Sequence, residues 1–133
     1  MSSFPPLNHV AVTVRDLSVS TPWYTTLLGA EPMSDEDSGD GFHHAVWVLP
    51  NGTLFGLHAH TRPPAVEQFS EFNVGLDHIA FGCESRDELE KWAARLTELG
   101  IAHGGIVDRP YGSGLSFRDP DGIPLEFFSP PTT

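Results

Sequence analysis

Leu76-Asp77-His78-Ile79-Ala80-Phe81-Gly82-Cys83 is a stretch that the chain has already written once, as Leu7-Asn8-His9-Val10-Ala11-Val12-Thr13-Val14. In both copies a histidine follows Leu-Asn or Leu-Asp and precedes a β-branched residue and then alanine. Both copies are rich in strand formers, and successive strand residues face opposite sides of a sheet. His9, Ala11 and Thr13 therefore share one face, and Val10, Val12 and Val14 the other. In the second copy His78, Ala80 and Gly82 oppose Ile79, Phe81 and Cys83. Each strand thus has an apolar face for a core. Its other face carries one imidazole beside small residues that leave it room.

The repetition extends beyond these strands. Leu28-Gly29 closes a helix-like segment after the first copy, and Leu99-Gly100 closes one after the second. Leu49-Pro50-Asn51-Gly52 is answered by Asp119-Pro120-Asp121-Gly122. The offset stays near 70 residues, longer than the roughly 20–50 residues of a solenoid unit. The pattern is a tandem duplication within a single domain, 1–133: module one at 7–60, a linker at 61–75 and module two at 76–130.

In module one a helix is expected from about Ser20 or Thr21, with Pro22 tolerated in its first turn. Trp23, Tyr24, Leu27 and Leu28 fall at helical spacing, and Gly29 stops the run. Residues 30–41 read as an acidic loop, and 42–49 and 53–60 as a hairpin around Pro50-Asn51-Gly52. In module two Ser85-Arg86-Asp87-Glu88 is a capping box. Leu89, Trp92, Ala93, Leu96 and Leu99 form one apolar stripe. Residues 101–107, 115–118 and 123–128 read as extended, with Tyr111-Gly112-Ser113-Gly114 as a flexible turn. Each module is βαβββ, and the fold class is α+β.

Composition narrows the function. The chain has 133 residues, 39% hydrophobic and 11% aromatic, as in a soluble globular protein. No apolar run approaches the roughly 20 residues that span a membrane. The N-terminus has neither the basic nor the apolar region of a signal peptide. One cysteine excludes an internal disulfide and fits a cytoplasmic protein; on the apolar face of its strand, Cys83 reads as a buried structural thiol. A formal charge of −11 argues against a nucleic-acid partner. Glu31, Asp35, Glu36, Asp37 and Asp40 lack the ordered spacing of a calcium loop and read as solvated. Phe69 and Phe72 either pin the polar linker to the surface or belong to a lid.

Glu126 stands out in the last strand. Pro124, Glu126 and Phe128 share one face, Leu125 and Phe127 the core face. A carboxylate amid an apolar strand is costly to bury unless it is paired or bound to a metal. His9, His78 and Glu126 are either two satisfied histidines and a salt-bridged Glu, or three donors for a divalent ion.

Leu7-Asn8-His9-Val10, Leu76-Asp77-His78-Ile79-Ala80 and Phe117-Arg118-Asp119-Pro120-Asp121-Gly122 followed by Glu126 carry a resemblance. The chain is similar to the vicinal oxygen chelate superfamily. That superfamily includes glyoxalase I, methylmalonyl-CoA epimerase, extradiol dioxygenases, fosfomycin-resistance enzymes and bleomycin-binding proteins. The resemblance implies sheets curled around a metal cleft, with His9, His78 and Glu126 as ligands of iron, zinc, manganese or nickel. It implies a small-molecule substrate and a homodimer, in which modules of two chains often build the cleft.

The position matching Glu126 in module one is Gly56, where glyoxalase I and the epimerase place an oxygen ligand. His58 faces the same side, as a fourth ligand or a cleft-lining acid–base group; His60 is expected in solvent at the strand's end. His43 and His44 are expected at the surface, and His103 has no partner in the repeat. A three-donor set resembles the extradiol dioxygenases and the fosfomycin enzymes. Yet Ser116 lies about where the dioxygenases' tyrosine is expected, and few residues follow Glu126 to supply the basic groups of the fosfomycin enzymes. The expected function is a metal-dependent enzyme leaning to extradiol dioxygenase-like chemistry, with Glu126 and His58 as catalytic groups. The alternatives are a glyoxalase I-like lyase or isomerase and a bleomycin-resistance-type binding protein.

Overall fold

The duplication becomes two units, divided between Glu67 and Gln68, in a computed structural model that describes residues 3–131. The first contains β1 (His9–Thr13), α1 (Leu17–Leu28), β2 (Ser34–Asp37), β3 (Phe42–Val48) and β4 (Leu54–His60). The second contains β5 (Ile79–Gly82), α2 (Arg86–Glu98), β6 (His103–Arg109), β7 (Gly112–Arg118) and β8 (Pro124–Ser129). Each is βαβββ, as expected. The sheet orders are β1-β4-β3-β2 and β5-β8-β7-β6. In each, the first and last strands run parallel and the other neighbours antiparallel.

Helix α1 begins earlier than expected. Asp16 is its cap, the carboxylate accepting from the Ser18 N–H at 2.9 Å. Pro22 consequently lies inside the helix, where its ring removes a donor, and not in the first turn. Gly29 ends the helix with φ 71°, a left-handed value that glycine adopts without strain. Tyr24 and Leu27 are buried against the sheet. The Tyr24 ring lies 5.1 Å from that of Phe55 and 6.3 Å from that of Trp47, whose indole N–H donates to the Ala30 carbonyl. With Val12, Val14, Ala45 and Leu57 these residues form the first core.

The acidic stretch is not wholly a loop. Residues Ser34–Asp37 pair with β3 as an edge strand, and charges along an edge discourage further pairing.

In the second unit Ser85 accepts from the Glu88 N–H at 3.2 Å. Glu88 reaches back to the N–H of Glu84, one residue beyond the expected partner, at 2.8 Å. Leu89 and Leu96 are fully buried, and Trp92 stacks on Phe127 with centroids 4.3 Å apart. Cys83 is buried in this core as expected, and burial, with Glu88 nearby, pushes its thiol up to about 11. The expected flexible turn at 111–114 is instead mostly strand, since β7 begins at Gly112.

Residues 68–75 belong with the second unit. The Phe69 N–H donates to the Asp121 carbonyl, and Arg118 pairs with Glu71 at 2.6 Å. Phe69 is half-buried, but Phe72 is 92% exposed and pins nothing among the described residues. No helix among the described residues is long and apolar enough to cross a membrane.

Candidate functional site

On β8 the alternation is as expected: Leu125 and Phe127 are buried, while Pro124, Glu126 and Phe128 are half-exposed on the other face. Glu126 lies between Ala80 of β5 and Ser116 of β7. Its space comes from Gly114, where a Cβ would stand 3.0 Å from the Glu126 Oε1.

His78 sits just ahead of β5, with Nε2 3.8 Å from the Glu126 Oε2. That distance is too long for a hydrogen bond. It suits two donors that each reach a shared ion at roughly 2.0–2.2 Å.

The other nitrogen of His78 is engaged. Nδ1 donates to the Asp77 carboxylate at 2.7 Å, so Nε2 is the nitrogen of His78 that can ligate. His9 repeats the arrangement, with Nδ1 2.6 Å from the Asn8 side-chain oxygen. Asn8 and Asp77 therefore fix the tautomer and ring orientation of the two candidate ligands. Sequence reasoning missed this role. The signal was in the duplication itself, which keeps a short side-chain oxygen ahead of each histidine.

Gly56 is the structural counterpart of Glu126. It lies between Ala11 and Val46, as Glu126 lies between Ala80 and Ser116. A Cβ at Gly56 would make only ordinary contacts, the nearest 3.7 Å from the Ala11 Cβ. The backbone admits a side chain there, so the missing oxygen ligand is a matter of residue identity and not of space.

The same face of the first sheet carries a row of imidazoles. His58 pairs in register with Thr13 on one side and His44 on the other. It is half-buried and stacked on Phe42, with centroids 4.4 Å apart and planes within 9°. Burial above all, then the neighbouring His44, His60 and His9, hold its pKa below the ordinary 6.5. His44 shares this face, with Nε2 3.8 Å from Glu36. His43 faces the other way, toward Asp35. His60 is exposed at the end of β4, with Nε2 3.4 Å from the Thr13 hydroxyl. His103 is used locally, bonded to Thr97 and to the Gly105 N–H.

The second unit therefore brings His78 and Glu126 together, and the first places His9 and His58 within electrostatic reach on one face. Among the described residues no three His, Cys, Asp or Glu side chains form a ready metal-binding group. Ser116 on the Glu126 face bears no phenol, and Tyr111 is exposed and stacked on Phe128.

A family model for the Glyoxalase/Bleomycin resistance protein/Dioxygenase superfamily matches residues 6–127. Glyoxylase I 4 of Arabidopsis thaliana is 32% identical over 128 residues, covering 90% of this chain and 68% of that protein. The putative ring-cleaving dioxygenase MhqA of Bacillus subtilis is 39% identical over 125 residues; the match covers 93% of this chain but only 39% of that protein. A glyoxylase/bleomycin resistance protein/dioxygenase domain from Frankia sp. EAN1pec has the same fold, with a TM-score of 0.86, 36% identity and coverage of 97% and 94% of the two chains.

Proposed function

The chain belongs to the Glyoxalase/Bleomycin resistance protein/Dioxygenase superfamily, and on that premise we propose a metal-dependent enzyme acting on a small oxygen-bearing molecule, with chemistry nearest that of ring-cleaving extradiol dioxygenases. One observation carries the proposal. His78 and Glu126 stand 3.8 Å apart with the His78 ring fixed by Asp77, while the matching carboxylate position of the first unit is glycine.

His9, His78 and Glu126 would hold the ion, two imidazole nitrogens and one carboxylate. That donor set suits iron, zinc, manganese or nickel and leaves positions open for substrate. When bound, the metal supplies Lewis acidity at the substrate's oxygens and, if it is iron, redox chemistry with dioxygen.

The chain's own residues do the rest. His58 is held neutral near pH 7, so one of its ring nitrogens accepts the substrate's hydroxyl proton and later returns it. Phe42 fixes the plane of that ring. Ala11, Ala80 and Gly82 keep the faces beside the histidines open.

A homodimer is part of the proposal. Phe72 and Val74 are almost wholly exposed on the segment leading to His78, and a second copy covers them. Light scattering should give twice 14.5 kDa, and a monomeric mass would remove this element.

The test is oxygen uptake by Fe(II)-loaded protein with a panel of catechols under air. The wild type should consume oxygen with at least one catechol, and Gly56→Glu should reduce that uptake by completing a four-donor, redox-inert site. The second reading is glyoxalase-type isomerisation, supported by the similarity to Glyoxylase I 4 across most of both chains. No oxygen uptake, with turnover of a hemithioacetal on Ni(II) or Zn(II), would establish that order instead. Ligand binding with neither metal nor turnover would point to a bleomycin-resistance-type binding protein.

A further inference from the structure

The first unit contains a cavity of about 600 Å³ at the ends of β1 and β4 remote from His9, built wholly from its own residues. That volume falls within the roughly 300–1,000 Å³ of small-molecule pockets. Its wall includes Thr13, Arg15, Asp40, His60 and Arg62.

Charge sets this wall apart. The chain has seven Lys and Arg against 18 Asp and Glu, yet two of the seven line one cavity. Arg86, Arg95 and Arg118 are engaged with carboxylates of the second unit. Arg62 has no carboxylate partner among the described residues. Arg15 is already partly committed, since its charge acts on the adjacent Asp16. Arg62 is thus the cation left for a ligand.

The wall is also held in place. The Thr61 N–H and hydroxyl both donate to the Gly41 carbonyl, at 2.9 and 3.2 Å, tying the start of the linker to the β2–β3 turn. Pro63 and Pro64 then restrict the backbone that follows. A cation carried on such a preset wall loses little entropy on binding.

We propose that this cavity is a carboxylate-binding subsite anchored by Arg62, with the Thr13 hydroxyl and His60 imidazole as further polar contacts. The count of charges selects the ligand class. With Arg15 partly offset by the adjacent Asp16 and Asp40 also in the wall, the net positive charge is at most one, which suits a monoanionic carboxylate better than a dianionic phosphate. Thr13 and His60 share a sheet face with His58, so a molecule held by its carboxylate extends along the imidazole row. The substrate class this names, an oxygen-bearing molecule that also carries a carboxylate, rests on the function proposed above; the binding of carboxylate does not.

The experiment is a ¹H–¹⁵N titration of the full chain, as purified, with benzoate, its neutral isostere benzamide and inorganic phosphate. Benzoate should give saturable shifts at the Gly41, Thr61 and Arg62 amides. Benzamide should give none, and phosphate should bind more weakly. Arg62→Ala should weaken benzoate binding by about tenfold or more, as loss of a charge-assisted bond does. Asp40→Asn should tighten it, and that variant carries the test if Arg62→Ala does not keep the native spectrum. Equal shifts with benzamide, phosphate binding tighter than benzoate, or neither variant altering affinity would each overturn the proposal. Since the probe is benzoate with no metal added, failure of the dioxygenase reading leaves this result standing, and failure here leaves metal stoichiometry untouched.

Discussion

An imidazole can ligate through either nitrogen, and the residue in front of it here decides which. The side-chain oxygens of Asn8 and Asp77 each accept a hydrogen bond from the Nδ1–H of the following histidine, which leaves Nε2 to ligate. Outer partners of this kind are typically worth about 10–100-fold in metal affinity. Asp77→Ala and Asn8→Ala should therefore weaken Zn(II) binding by about that factor in calorimetric titration, whereas Asp77→Asn, which keeps an accepting oxygen, should lose less. Unchanged affinity in both alanine variants would contradict the role. The Leu-Asn-His and Leu-Asp-His pattern was legible in the sequence, but the bond was not, because it depends on two side-chain rotamers. His58 supplies a pH prediction. Its folded pKa lies below the ordinary 6.5, so under acid the unfolded chain binds a proton that the folded chain resists. The His58 contribution is intact above about 6.5, declines as pH falls toward the lowered value, and then levels off. Urea midpoints compared at pH 7.5 and 5.5 should fall in the wild type and fall less in His58→Gln. Equal falls would remove His58 as the cause.

At the scale of elements, the glycines of β7 make room for side chains of its neighbour β8. Gly112 has φ 143°, and a Cβ there would run into the Phe128 ring and the Ser129 carbonyl. Gly112→Ala should destabilise the fold by about 1–3 kcal/mol in chemical denaturation, the usual cost of forced overpacking. Gly56→Ala should be far milder, because its added Cβ meets nothing closer than 3.7 Å. Comparable losses in both would contradict this account of the two positions. These glycines also mark where sequence reading stopped. Tyr111-Gly112-Ser113-Gly114 looks like a flexible turn by composition, yet pairing with β6 and β8 makes most of it strand. The acidic Ser34–Asp37 looks like a loop for the same reason, and only its ladder with β3 makes it an edge. Helix α1 starts ahead of the first-turn position that Pro22 suggests, because Asp16 is the cap. Alternation on β8 was legible in full, since a two-residue period needs no tertiary information.

At the scale of the whole molecule, the duplication was the legible feature. One offset, read from histidines, helix stops and turns, anticipated two βαβββ units, and their sheets share one strand order. The Arg62 cavity was not legible. Its wall comes from the end of β1, the β2–β3 turn, and the end of β4 with the start of the linker, stretches that only the folded sheet brings together. The proposed function needs His9, His78 and Glu126 as metal donors. It is tested most directly by elemental analysis of protein equilibrated with divalent metal, with anomalous scattering at the metal edge to place the ion. One ion per chain is predicted for the wild type and for His58→Gln, with stoichiometry lost in His9→Ala, His78→Ala and Glu126→Gln. Full occupancy in those three variants, or no ion bound by the wild type, would contradict it.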